Sequence, residues 1–251
     1  MEPHQAVRRS LSLFLLWFLT NSILFAVLLA LVSITILYAV LIATFLSMIT
    51  IVLAYRGMEL RIISKVNAEA IEKGSYPKFE NLVEGLCIAH GFRNPNLFVI
   101  PDSAPNMMMV GKNSSLGNLI VTTGLLERVN RVELEGLITH ELSRIRNRLA
   151  LLECTSAVLV AKPFVLLPGF VKWVSAKLFA SWSVAETDLQ AVSLTRYPTA
   201  LASALNSLNI DGRELRVNPK FCRHLWINPP ANALIKSGFS TGDRVAALSE
   251  L

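Results

Sequence analysis

His140 and Glu141 stand side by side, and the residue one helical turn after the histidine is Arg144. In an H-E-x-x-H helix, two histidines four apart share a face and bind zinc, while the glutamate between them activates the metal-bound water. Arg144 occupies the place of the second histidine. A guanidinium has five N–H donors, no lone pair to give and a proton it does not lose in a protein, so it cannot ligate zinc. Taken alone, a His-Glu pair on a helix reads as part of a solvated charged face.

The element that carries these residues is legible. Val132, Leu134, Leu137, Ile138, Leu142 and Ile145 recur at helical spacing, which predicts a single helix over 131–148 with its apolar stripe in a core. Before it, 96–100, 107–110 and 118–122 are short β-prone runs bounded by Pro, Gly, Asn and Ser, and predict a small sheet. The methionines from Met107 to Met109 read as core or groove filler. Residues 79–90 predict an amphipathic helix with Leu82, Val83, Leu86 and Cys87 inside and Gly91 as its stop. His90 at that end reads as a cap or dipole partner. Alternation at helical spacing over 58–71 predicts another helix, and 208–221 reads as a polar loop.

With its flanks, the segment resembles a known family. Val121-Thr-Thr-Gly-Leu-Leu126 followed by Glu133-Leu-Glu-Gly-Leu-Ile-Thr-His-Glu-Leu-Ser-Arg-Ile-Arg-Asn-Arg148 is similar to the V-T-T-G-L-L and H-E-L-S-H-I-R-N-R-D of the HtpX-type membrane-bound zinc metallopeptidases, relatives of the CAAX prenyl proteases. Asp102-Ser-Ala-Pro-Asn106 and Ala191-Val-Ser-Leu-Thr-Arg-Tyr-Pro198 extend the resemblance, as do elements at 224–230 and 243–248. It implies an α+β fold: a mainly helical integral membrane protein with an N-terminal transmembrane hairpin and a gluzincin-like domain carrying a small β-sheet. It also implies a sheet edge that can hold an extended substrate, and a place in membrane-protein quality control.

The resemblance exposes departures. The family's third zinc ligand is the Glu of an E-x-x-A-D stretch; alignment on Asp188 puts Val184 in its place. Glu186 lies two residues on, about 200° around a helix axis, and does not substitute without a register shift. Leu149 replaces an acidic residue, and the His-Pro-Pro turn before the last helix is replaced at 238–241. The expected site is therefore a vestigial ligand, His140, and a vestigial general base, Glu141, with Arg144 and Val184 at lost ligand positions and Asp188 beside them. No cofactor is expected. Arg144 is expected to take the metal's place by pairing with Asp188 or Glu141.

Composition agrees with a membrane protein. Hydrophobic residues make up 53% and charged residues 17% of the 251, too apolar for an ordinary soluble domain. No charge occurs between Arg9 and Arg56, a run long enough for two crossings of about 20 residues each, with a turn near Ser33. Arg8 and Arg9 before it, and Arg56, Arg61 and Lys65 after it, place both ends in the cytoplasm by the positive-inside rule. The run is longer than a signal-peptide core and lacks a small-residue cleavage site.

The division expected is a membrane hairpin over 1–56 and an HtpX-like domain over 57–251. A second apolar region at about 149–180 is interrupted by Glu153, Lys162, Pro163, Pro168, Lys172 and Lys177, so interfacial or re-entrant packing competes with a second hairpin. The net charge of +6 then fits an anionic membrane surface, not nucleic acid. Cys87, Cys154 and Cys222 are odd in number, widely spaced and expected reduced and buried.

The function expected is that of a catalytically inactive HtpX-like protein in the bacterial plasma membrane, body facing the cytoplasm. It would act as scaffold, regulator or accessory subunit of an assembly with the lipid bilayer and other membrane proteins as partners. The alternative is an active zinc endopeptidase of membrane proteins, with His90, His224 or Glu186 recruited as ligands.

Overall fold

The uncharged run forms two helices, α1 (Pro3–Leu31) and α2 (Ile36–Arg56), in a computed structural model that describes residues 3–32, 34–113, 116–179, 184–209, 214–235 and 239–251. Ser33, where the turn is expected, lies outside the described residues, as does Gly238. At about 1.5 Å per residue both helices exceed the ~30 Å of a bilayer's hydrocarbon. Only 6% and 17% of their most apolar stretches are buried, unlike the core helix of a soluble protein. The two pack together. Ala39, Ala43 and Ser47, small and four apart, are three of the four buried positions of α2 and permit close approach. The chain is a membrane protein anchored by this hairpin.

Beyond it come α3 (Met58–Lys65), β1 (Glu69–Ala70), α4 (Pro77–His90), β2 (Asn96–Ile100), β3 (Met107–Val110), β4 (Asn118–Thr122) and α5 (Thr123–Arg128). The helix expected over 58–71 ends at Lys65. Asn67 adopts a left-handed conformation with φ 55°, which asparagine tolerates better than most residues. The chain then turns to lay Glu69 and Ala70 antiparallel on Val99 and Phe98 of β2. α4 ends at Gly91, whose φ of 68° and N–H to the Cys87 carbonyl make the left-handed cap its sequence suggests.

The sheet has the order β1-β2-β4-β3. β2 and β4 run parallel, Leu97 opposite Leu119 and Val99 opposite Val121; β3 and β4 run antiparallel, Met107 opposite Val121 and Met109 opposite Leu119. These apolar residues pack with Leu137, Ile138, Leu142 and Ile145 of α6 (Arg131–Arg146) in one buried cluster. The methionines at Met107, Met108 and Met109 are thus core. Gly124, in the first turn of α5, lies against the 102–104 turn, where a Cβ would sit 2.1 Å from the Ser103 carbonyl oxygen. That close approach is why Val121-Thr-Thr-Gly needs its glycine.

The helix expected over 131–148 stops at Arg146. Arg148 turns left-handed at φ 58°, and α7 (Leu149–Ser156) begins there and packs back on α6. A single π-type turn (Ala157–Ala161) continues α7, and α8 (Pro168–Leu178), α9 (Val184–Thr195) and α10 (Pro198–Asn209) follow. The loop expected over 208–221 starts later, since α10 reaches Asn209. A 3-10 turn (Lys220–Leu225) and α11 (Thr241–Ser249) complete the chain. Cys87, Cys154 and Cys222 are free and buried; burial pushes their thiols up, to about 11 at Cys87 and about 12 at the other two.

Candidate functional site

α6 starts at a capping box: the Asn130 side chain accepts from the Val132 and Glu133 N–H groups, and Glu133 accepts from the Asn130 N–H. Such a cap contributes about 1 kcal/mol and fixes where the helix begins. Gly136 lets α10 lie close, its missing Cβ only 3.4 Å from Leu201. On the helix so placed, His140, Glu141 and Arg144 face inward and are at most 3% exposed.

Arg144 folds back one turn. Its Nη1 donates to Glu141 Oε1 and Oε2, both at 2.8 Å, and to the Leu225 carbonyl at 3.1 Å; its Nη2 donates to Glu153 Oε2. One buried cation thus faces two buried carboxylates. Burial alone would push Glu141 up, but Arg144 and His140 outweigh it and hold that carboxyl below the ordinary range. Glu153 meets Arg144 through one oxygen, and there burial wins, pushing it up to about 7. Burial likewise works against the Arg144 charge, yet its two carboxylates raise its pKa further.

A second arginine closes the other side. Arg244 on α11 grips Asp188 of α9 bidentately, Nε to Oδ2 at 2.8 Å and Nη2 to Oδ1 at 2.7 Å, and Nη1 donates to the Ile227 carbonyl at 2.8 Å. His140 lies between the two pairs. Its Nε2 is 3.3 Å from Asp188 Oδ1 and 3.4 Å from Arg244 Nη2, while Nδ1 is 3.4 Å from Glu141 Oε1 without reaching a hydrogen bond. His224 borders the same space, its Nε2 within 3.2 Å of the Glu153 carbonyl and 3.3 Å of Ser156 Oγ. Burial pushes His224 down to about 4, so its imidazole is neutral at pH 7.

What remains open is a cavity of about 20 Å³ among His140, Arg144, Glu153, Val184, His224 and Arg244, with Trp226 closing it. That is the space of one water molecule. The outer edge of β3 is also taken. Trp226 bridges to Met108, the Ile227 N–H donates to the Met107 carbonyl at 2.8 Å, and Asn106 and Asn228 exchange side-chain and backbone bonds at 2.9 and 3.3 Å. The sheet edge expected to hold a substrate strand is paired with this chain's own residues.

The expected residues His140, Glu141, Arg144, Val184 and Asp188 therefore do meet at one centre. Arg144 takes Glu141, as expected, but Asp188 goes to Arg244 instead. Arg244 and Glu153 are the residues that sequence reasoning missed. Glu153 had a signal, being a carboxylate alone in a long apolar run. Arg244 had a weaker one, in a segment similar to the family's last helix. His90 stacks edge-on with Phe92 at the end of α4, and Glu186 is exposed; neither reaches the centre.

Zinc is the metal that such a helix implies, and the residues present do not fit it. Among the described residues no three His, Cys, Asp or Glu side chains gather as a metal-holding group. The one imidazole on the helix has a guanidinium within 3.4 Å of the nitrogen that faces the centre, and guanidinium groups repel a cation and donate no electron pair.

A membrane hairpin joined to a body whose His-Glu helix lies across a small mixed sheet has the plan of a membrane-anchored metallopeptidase. The model of Peptidase family M48 matches residues 76–250, and the chain belongs to that family. Relatives include a protease HtpX homologue from Dictyoglomus thermophilum, 31% identical over 75% of this chain and 72% of its own length, and another from Dictyoglomus turgidum, 30% identical over the same shares. Among solved structures, Ste24p of S. mikatae is similar with a TM-score of 0.49 at 15% identity, over 96% of this chain and 64% of that protein, so this chain spans less than two thirds of its length.

Proposed function

We propose that this M48 chain is a pseudo-peptidase, whose catalytic centre has become a structural one, and that it serves as scaffold, regulator or accessory subunit of a membrane assembly. The observation that carries the reading is the position of Arg144, which fills the place of a ligand and spends its donors on Glu141, the would-be base, and on Glu153. A carboxylate clamped by a guanidinium is a poor base for water, because ion pairing favours its unprotonated form. Val184 offers no donor, and the small cavity leaves a peptide no room.

The second reading, a zinc endopeptidase like the protease named in its relatives, draws on one observation: His224 borders the same cavity as His140. Against it stands the Glu153 carbonyl, which already takes the His224 Nε2. Under either reading the body faces the cytoplasm and the partners are the bilayer and other membrane proteins, with no nucleic acid.

Metal analysis of the purified full chain, with casein cleavage before and after chelation, tests the proposal. Substoichiometric zinc and no cleavage above the Glu141→Gln background are expected. One zinc per chain, with activity lost on chelation and in Glu141→Gln, overturns it. Capture of membrane partners in mild detergent then identifies the assembly.

A further inference from the structure

The second apolar region divides into two parts of opposite character. Residues 149–161 are buried throughout, packed against α1 and the 3-10 turn, and so present nothing to lipid. Residues 166–173, Val171 apart, are the reverse: Leu166 is 88%, Leu167 58%, Phe170 41% and Trp173 58% exposed. An exposed apolar cluster of this kind marks a surface that meets something.

α8 is amphipathic in place. Val171 and Ser175 are buried, and Val171 belongs to the cluster that holds Ala6 and Leu13 of α1. Arg9 donates to the Leu178 carbonyl, tying the end of α8 to the first turns of α1. α8 therefore lies where Arg8 and Arg9 give way to the uncharged run, at the polar boundary of the membrane helices. Phe170, Trp173 and Lys177 form its outward stripe at spacings of three and four. Phe164, Phe170 and Trp173 stack in series, and Lys177 Nζ lies 4.3 Å over the Trp173 ring.

The charge carried by this stretch of chain has one sign. Lys162, Lys172 and Lys177 fall in a stretch with no acidic residue between Glu153 and Glu186. Aromatic side chains with flanking lysines suit the level of lipid headgroups, where the ring sits in the interface and the ammonium reaches phosphate. Length excludes a crossing: eleven residues of α8 extend about 16 Å, half of the ~30 Å needed.

We infer that 164–178 is an interfacial anchor, lying flat in the anionic leaflet that α1 enters, with Leu166, Leu167, Phe170 and Trp173 in the upper acyl region and Lys162, Lys172 and Lys177 on phosphate. This fixes the body against the membrane at a second point beside the hairpin.

Single cysteines at Leu166, Phe170 and Trp173, labelled with a polarity-sensitive fluorophore in full chain reconstituted with phosphatidylcholine and phosphatidylglycerol, test this; the native thiols are buried. Nitroxides near the headgroup are expected to quench all three labels severalfold more than nitroxides at the chain ends, and aqueous iodide is expected to reach them severalfold less than a label at exposed Ile88→Cys on α4. Lys162→Gln with Lys172→Gln and Lys177→Gln is expected to restore iodide access in part, and only in vesicles containing phosphatidylglycerol. Three results overturn the inference: deepest quenching at Leu166, or its labelling from the face opposite α4, which means a crossing; full iodide access, which means open water; or iodide protection without quenching by either nitroxide, which means a protein cover.

Discussion

Arg144 lies one turn from Glu141 on the same helix and bonds both of its carboxylate oxygens at 2.8 Å, so this buried carboxylate finds its cation within its own element. Glu153 completes the arrangement from α7, and because all three groups are buried, each depends on the others.

Arg144→Ala is expected to lower stability by about 3–5 kcal/mol, since it leaves Glu141 and Glu153 buried without a cation. Arg144→Leu combined with Glu141→Gln and Glu153→Gln recovers most of that loss, because no unpaired charge remains. Chemical unfolding in detergent measures both. Equal losses in the single and the triple variant would show that the ion network is not the cause.

Restoring Arg144→His alone is expected not to restore zinc binding, because Val184 still supplies no ligand. Arg144→His with Val184→Glu binds more zinc than either single change, since Val184 borders the same cavity as His140. Zinc content by elemental analysis decides it; stoichiometric metal in the single variant would refute the assignment of Val184.

Glu153 and His224 oppose each other in pH dependence. Glu153 titrates in the fold at about 7 against an ordinary 4.5, so its contribution is full below pH 4.5 and falls away as pH rises to about 7, by about 3 kcal/mol. His224 titrates at about 4 against an ordinary 6.5, so its contribution is full above pH 6.5 and falls away as pH drops to about 4, by a similar amount. The slopes cancel between pH 4.5 and 6.5, where a flat melting temperature is expected. Glu153→Gln should show stability rising with pH across that window, and His224→Gln should show it falling.

Gly124→Ala drives a methyl to 2.1 Å from the Ser103 carbonyl oxygen. A rigid backbone cannot yield as a side chain can, so a loss of about 1–3 kcal/mol is expected, read by thermal unfolding. Gly85→Ala, a change with open space on a helix, is expected to be neutral or slightly stabilising.

The three main strands were legible because Pro, Gly, Asn and Ser punctuate apolar runs, and their bounds in the structure are those expected. His140, Glu141 and Arg144 were legible because helix spacing alone brings them together. The partner of Asp188 was not, since Arg244 lies 56 residues further along the chain and no local periodicity joins α9 to α11. Glu153 read as an interruption in an apolar run, although its burial requires a counter-charge. What hid the partnership was the left-handed turn at Arg148, which no local periodicity announces and which brings α7 back against α6.

The pairing of Trp226 and Ile227 along β3 also bears on how copies of this chain behave in a crowded membrane. Unpaired strand edges invite intermolecular pairing and aggregation. Here the edge beside the centre is covered by a residue pair held from both sides, and the opposite edge is a two-residue strand carrying Glu69. Neither edge offers a template for a foreign strand, so the sheet is guarded against polymerisation while the body stays concentrated at the bilayer surface.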